Sequence, residues 1–192
     1  DLFAEISAGT VSVVTDRIET FTEKGIRLES GTELPADIVV TATGLNLLAL
    51  GGMTITVDDE PVDVSKTVAY KGMMLSGVPN LALTIGYINA SWTLRADLVC
   101  VYVCRLLRHM DERGYQIVTP GTPASGGRAP LIDLTSGYVQ RALDAMPKQG
   151  AASPWRLQQH YLRDRRLMRR GRVDDPGVRF TRAPATTTEP VP

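Results

Sequence analysis

The sequence has no surplus of either charge, no long apolar run, few aromatics and almost no cysteine. Lys plus Arg balance Asp plus Glu at 21 each, so no overall field draws the chain to nucleic acid and any charge-based partner must be local. The two cysteines, Cys100 and Cys104, stand four apart in a segment that reads as helix. That spacing matches neither a CxxC redox pair nor a zinc knuckle, so reduced, buried thiols are expected. No uninterrupted apolar run approaches the ~18–20 residues of a membrane-spanning helix. The chain opens Asp1-Leu2-Phe3 with no methionine and no basic-then-apolar leader. A natural start and a secretory signal are therefore not expected, and the expected compartment is cytoplasmic. No GxGxxG occurs either, so a dinucleotide pyrophosphate finds none of its usual glycine cradle in this chain.

What remains is ordinary for a globular protein: 43% hydrophobic and 22% charged over 192 residues, enough for a core in one domain or in pieces of two. From Thr10 to Val40 short strands alternate with turns. Thr10–Thr15, Arg17–Thr22 and Ile26–Glu29 carry the period of two that marks half-buried strands, and Glu23-Lys24-Gly25 turns the chain. This predicts an antiparallel meander. Asp37 to Gly44, a continuous β-branched run, predicts a strand buried on both faces, as in parallel sheets. A small β unit over Thr54–Val64 should reverse at Asp58-Asp59-Glu60-Pro61. A second buried run, Leu81 to Ile85, ends at Gly86. The apolar spacing then predicts a helix from about Trp92 to Arg113, with Gly114 placed to cap it. The stretch from Pro120 to Pro130 reads as a loop. A short helix with Val139, Leu143 and Met146 on one face should stop at Pro147. A basic helical stretch follows from Pro154, and residues 181–192 are expected to be disordered.

Two places carry chemistry. Glycine at the end of the Asp37–Gly44 strand, in Ala42-Thr43-Gly44, lets backbone pass close to a bulky ligand, since it has no Cβ; the bland alternative is a glycine that merely ends a core strand. Asn89-Ala90-Ser91-Trp92 stands at the start of the long helix, where free N–H groups and the positive dipole end stabilise an anion such as a reduced flavin ring. The alternative there is that Ser91 is only an N-cap.

Taken in order, the meander, Asp37–Gly44, the segment Tyr70-Lys71-Gly72-Met73-Met74-Leu75-Ser76-Gly77-Val78-Pro79-Asn80-Leu81, the Asn89–Thr93 loop, Pro147-Lys148-Gln149-Gly150 and Pro154-Trp155-Arg156-Leu157 resemble the C-terminal part of class B flavoprotein monooxygenases, the Baeyer–Villiger enzymes. The likeness runs to about Phe180 and is most specific from Tyr70 to Thr93. It implies an α/β fold class: the C-terminal portion of a two-dinucleotide-binding (FAD/NADP) fold, with a β-meander and a parallel-sheet remnant. Residues 1–40 would end the NADP-binding domain, 41–150 would form the C-terminal half of the FAD-binding domain, 151–180 a basic extension and 181–192 a tail. It implies FAD and NADP as cofactors, with Thr43, Gly44, Asn89, Ala90, Ser91 and Trp92 against the flavin, and no catalytic or metal-binding residue in this segment. It also implies a chemistry in which NADPH reduces FAD and dioxygen adds to give a peroxyflavin. That species inserts oxygen into a ketone or oxidises a sulfur substrate. The nucleotide anchors and the FxGxxxHxxxW signature of the family are missing, since Phe3, Phe21 and Phe180 begin no such pattern. They are expected in an N-terminal part of the same enzyme, the partner this segment lacks, and the segment alone should be inactive.

Other features have plainer readings beside functional ones. Tyr70, Met73 and Met74 suit either a substrate channel or the core, and Trp92 either the flavin or the core. His109 and His160 are assigned to structure, and Asp58-Asp59-Glu60 to a solvated hairpin tip rather than a calcium site. Arg163 to Arg172 leave three uses open: docking on acidic surface of the same protein, the extra phosphate of NADP, or an anionic membrane. Two rival functions stand beside the monooxygenase. One is a non-catalytic module pairing with a separate nucleotide-binding half. The other is a flavin disulfide reductase, which would show a redox CxxC or an interface domain with a catalytic histidine.

Overall fold

The computed structural model describes residues 1–124 and 126–183. Of the tail expected to be disordered, 181–192, Thr181 is instead the last residue of a strand, Val178–Thr181, its carbonyl accepting from the Gln116 N–H at 3.1 Å, and 184–192 fall outside the described residues. The chain divides into two compact units, Asp1–Gly44 and Leu45–Pro192.

The first unit opens on a short helix, α1 (Leu2–Ser7), capped by the Asp1 carboxylate accepting from the Phe3 N–H at 2.9 Å. An antiparallel meander follows: β1 (Ile18–Thr22), β2 (Gly25–Leu28) and β3 (Glu33–Pro35), in the order β1-β2-β3. Glycine is needed at position 25 because a Cβ there would stand 2.0 Å from the Leu34 carbonyl oxygen. Two expectations are corrected here. Thr10–Thr15 forms no strand; Thr10 instead folds back on α1, its hydroxyl 2.6 Å from the Glu5 carboxylate. Asp37–Gly44 forms no strand either, and Ile38 and Val40 are 83% and 84% exposed. A β-branched run becomes a buried strand only when neighbours line both of its edges, and among the described residues none does.

The second unit begins with a two-stranded hairpin, β4 (Thr56–Val57) and β5 (Glu60–Pro61). Asp58 and Asp59 turn it with positive φ of 51° and 66°, the geometry of a two-residue hairpin that short acidic side chains tolerate. The acidic tip is exposed, as expected. A second hairpin, β6 (Ala69–Tyr70) with β7 (Met74–Leu75), lies in the core. The long helix α2 (Trp92–Arg113) has the expected bounds, ending at Gly114 with φ 66°. Its stripe Leu98, Val99, Tyr102, Leu106 and Met110 is buried, at the three- and four-residue spacing of one helical face. Then come β8 (Ile117–Pro120), β9 (Ala129–Pro130), α3 (Gly137–Ala142), β10 (Lys148–Gln149), α4 (Tyr161–Arg170) and β11 (Val178–Thr181). β8 pairs with β11 and β9 with β10, both antiparallel.

The result is a mixed α/β unit with small sheets. The parallel-sheet remnant is corrected: among the described residues every strand pair is antiparallel, and the parallel geometry is confined to a single bridge between Val68 and Lys148. Leu81–Ile85 forms no strand. Alternate residues are half-covered there, and Leu83 N–H is tied to the Met73 carbonyl at 2.7 Å. Tyr70, Met73 and Met74 are 0–1% exposed, which makes them core rather than channel. Cys100 and Cys104 are free but exposed on α2, opposite to the buried placement expected; they fall outside the apolar stripe of the helix. The basic helical stretch starts at Tyr161, later than Pro154. Its one acid, Asp164, and Met168 face inward, and Arg169 meets Asp97 of α2 at 3.1 Å. The histidines are structural: His109 packs 4.9 Å from the Phe180 ring, and His160 caps α4, its Nδ1 accepting from the Arg163 N–H.

Candidate functional site at the mouth of the long helix

The loop into α2 is held from behind. Gly86 is buried, and a Cβ there would fall 2.1–2.6 Å from three atoms of the Trp92 ring; the loop can pass under the indole only as glycine. Tyr87 is buried at 2% exposure, and its hydroxyl donates to Asp164 Oδ2 at 2.9 Å. Gln159 then grips the next two residues. Its Oε1 accepts from the Ile88 N–H at 3.1 Å and its carbonyl from Asn89 Nδ2 at 3.3 Å. Gln159 itself has φ 49°, the left-handed region that a glutamine enters only under constraint. Asn89, Ala90, Ser91 and Trp92 are thereby presented to solvent as one short exposed stretch.

Ser91 occupies the N-cap position but makes no side-chain cap; its hydroxyl shares a 2.7 Å hydrogen bond with that of Thr93. The first turn carries no acidic residue. The leading N–H groups of a 22-residue helix therefore meet solvent with neither a side-chain acceptor nor a neutralising charge, the setting in which the positive dipole end accepts an anion. Thr43 and Gly44 lie in the first unit, both exposed. Gly44 has φ 91° with open space where a Cβ would stand, so backbone conformation rather than crowding requires glycine there.

Beneath the helix mouth lie two linked ion pairs. Arg95, one turn into α2 and 3% exposed, meets Asp164 Oδ2 at 2.6 Å and reaches the Lys71 carbonyl with its other nitrogen at 2.6 Å. The Lys71 ammonium, wholly buried, pairs with Asp175 at 2.8 Å and donates to Tyr102 Oη at 2.8 Å. Tyr70 Oη donates to the same Asp175 oxygen at 2.6 Å. None of Gln159, Arg95, Asp164, Lys71 or Asp175 was singled out from the sequence as a functional position. The readable signals were phase signals: Arg95 falls on the stripe of Leu98, Val99 and Tyr102, and Asp164 one turn from Met168. A charge in the apolar phase of a helix has to be paired. Among the described residues no group of histidine, cysteine and carboxylate side chains is placed to hold a metal.

Burial drives the Tyr70 and Tyr87 hydroxyls upward from their ordinary value, with the carboxylates of Asp175 and Asp164 adding to the effect. Tyr87 is pushed up to about 12. A tyrosine whose folded value is raised contributes stability that is complete below the unfolded value of ~10 and lost as pH climbs through the folded one. Stability should accordingly fall from about pH 10 to 12, and Tyr87→Phe should flatten that decline. Urea midpoints across this range check it, and an unchanged slope in the variant would contradict it.

Comparisons with known proteins give the chain its relatives. The FAD-containing monooxygenase EthA of Mycobacterium tuberculosis is 59% identical over 186 residues, 96% of this chain and 38% of that protein. The protein of the same name from Mycolicibacterium smegmatis is 51% identical, across 95% of this chain and 37% of its own length. The probable FAD-binding monooxygenase AlmA of Acinetobacter baylyi is 49% identical, across 94% and 36%. The resemblance to flavin monooxygenases thus holds over nearly the whole chain, while the chain spans less than two-fifths of the length of these curated relatives. No family model and no solved structure matches it.

Proposed function

We propose that this chain is the C-terminal part of an FAD- and NADPH-dependent monooxygenase of the Baeyer–Villiger type, one that inserts an oxygen atom into ketones or oxidises sulfides and thioamides. The observation that carries this reading is the 59% identity, over 96% of the chain, to a protein named as an FAD-containing monooxygenase. Bound FAD would supply the redox and oxygen chemistry. The residues at the helix mouth fit such a group, because uncapped N–H groups and the absence of a first-turn acid favour the electron-rich ring of a reduced flavin. Asn89 and Ser91 bring polar groups, while Ala90 and Trp92 bring apolar surface that excludes water. Thr43 and Gly44 are proposed as further cofactor contacts. In this reading residues 1–40 complete an NADP-binding domain, 41–150 belong to the FAD-binding domain and 151–180 form a basic extension.

The longer parent polypeptide, purified with FAD, should consume NADPH in proportion to a ketone or sulfide offered to it, and the chain alone should do neither this nor retain FAD. In the parent, Ser91→Asp would set a carboxylate against the positive dipole end and should weaken FAD binding about tenfold. A parent without flavin, or one indifferent to Ser91→Asp, would reject the reading.

A further inference from the structure

We infer that the outward face of α4 is a docking surface for the anionic headgroups of a phospholipid membrane, an inference independent of the flavin reading. Five of the ten residues of α4 are arginine: Arg163, Arg165, Arg166, Arg169 and Arg170, all exposed. The one acid of the helix, Asp164, is turned inward at 1% exposure and neutralised there by Arg95. Among the described residues Arg169 is the only one of the five that pairs with a carboxylate. The other four guanidinium groups face solvent with their charge unspent.

The face is rigid. Met168, fully buried, and Asp164 fix the helix to α2 from behind, and Arg105 donates to the carbonyls of Met168 and Gly171 at 2.5 and 2.8 Å, tying down the last turn. The arginines wall an open groove of about 920 Å³. Among them Leu162 projects at 64% exposure, in helical register with Arg166 one turn on. An aqueous surface gains nothing from a leucine in that position.

This combination selects the partner. The chain as a whole is neutral, with 21 basic and 21 acidic residues, so attraction must act within the ~8–10 Å reach of unscreened charge. Guanidinium forks match phosphate oxygens bidentately. An acidic protein segment would satisfy the arginines and leave the leucine wet; a lipid interface sets a phosphate layer directly above an apolar boundary and satisfies both. Arginine stems can lie along that boundary with their heads in the phosphate layer. No described helix is long and apolar enough to cross a membrane, and the contact proposed is peripheral.

The test is cosedimentation of the chain with vesicles of phosphatidylcholine alone and of an equimolar mixture with phosphatidylglycerol. Binding to the mixed vesicles, none to the neutral ones, and release at high salt are expected. The double variant Arg165→Glu with Arg166→Glu, at exposed positions that leave the fold intact by circular dichroism, should bind at least ~25-fold more weakly, about fivefold per arginine. Leu162→Asp should release at lower salt than the unaltered chain. Equal binding to neutral vesicles, or vesicle binding indifferent to the double variant, would overturn the inference. So would tighter binding to polyglutamate than to the mixed vesicles, which would make an acidic protein the partner. So too would failure of the longer parent to bind vesicles that the chain binds, since that would mean the surface is covered in the whole protein.

Discussion

Asp164→Ala should lower the stability of the second unit by about 3–5 kcal/mol, the usual result of removing one partner from a buried ion pair. The carboxylate is 1% exposed and receives Arg95 at 2.6 Å and the Tyr87 hydroxyl at 2.9 Å. Without it the guanidinium, 3% exposed in the intact protein, keeps the Lys71 carbonyl as its remaining hydrogen-bond partner and has no counter-charge in the core. Truncation, not pairing, is what costs here. Arg95→Met combined with Asp164→Leu and Tyr87→Phe removes both charges and the hydroxyl together, and should recover most of the loss. Urea midpoints at constant m-value measure both. The same change should loosen the helix mouth, because Tyr87 is anchored on Asp164, next to the Ile88 amide that Gln159 holds. Exchange at that amide should quicken in Asp164→Ala. A midpoint displaced by less than the equivalent of about 1 kcal/mol would mean that solvent already screens the pair.

The parts of this chain that its sequence makes legible are those decided locally. Apolar spacing and the cap glycine set α2 between Trp92 and Arg113, with Gly114 in the left-handed conformation that ends it. Asp58-Asp59 set the β4–β5 reversal, and alternation set most of the meander. What failed was non-local. The same alternation over Thr10–Thr15, and the β-branched runs at Asp37–Gly44 and Leu81–Ile85, say that a strand would be stable given neighbours, and cannot say whether the neighbours are there. Cys100 and Cys104 were misplaced because cysteine is so often buried, although their positions lie off the apolar stripe of the helix. At the candidate site, Asn89–Trp92 was readable as a helix entrance. Gln159 was not, since its side-chain Oε1 and its backbone carbonyl accept from Ile88 and Asn89, 71 and 70 positions away, through a left-handed backbone at Gln159 itself that no local pattern encodes.

The electrostatic core under that entrance is tested by Lys71→Met. The ammonium is fully buried against the rings of Tyr70 and Tyr102, 4.8 and 4.5 Å from their centroids. Methionine nearly conserves the aliphatic stem, so the loss comes from the charge and its hydrogen bonds. Tyr102 Oη and the Arg172 carbonyl lose their donor, and Asp175 keeps the Tyr70 hydroxyl at 2.6 Å. Because the Asp175 side chain remains 20% exposed, water can share the stranded charge, and the expected loss of about 2–3 kcal/mol is smaller than for Asp164→Ala. Adding Asp175→Asn should return part of it. The two ion pairs should not behave as strangers, since Arg95 bonds to Asp164 with one nitrogen and to the Lys71 carbonyl with the other. A double-mutant cycle between Lys71→Met and Asp164→Ala should show a coupling of about 0.5 kcal/mol or more. Strict additivity would mean that the Lys71 backbone does not move when its side chain is released. The entrance to α2 would then be supported by Asp164 and Gln159 alone.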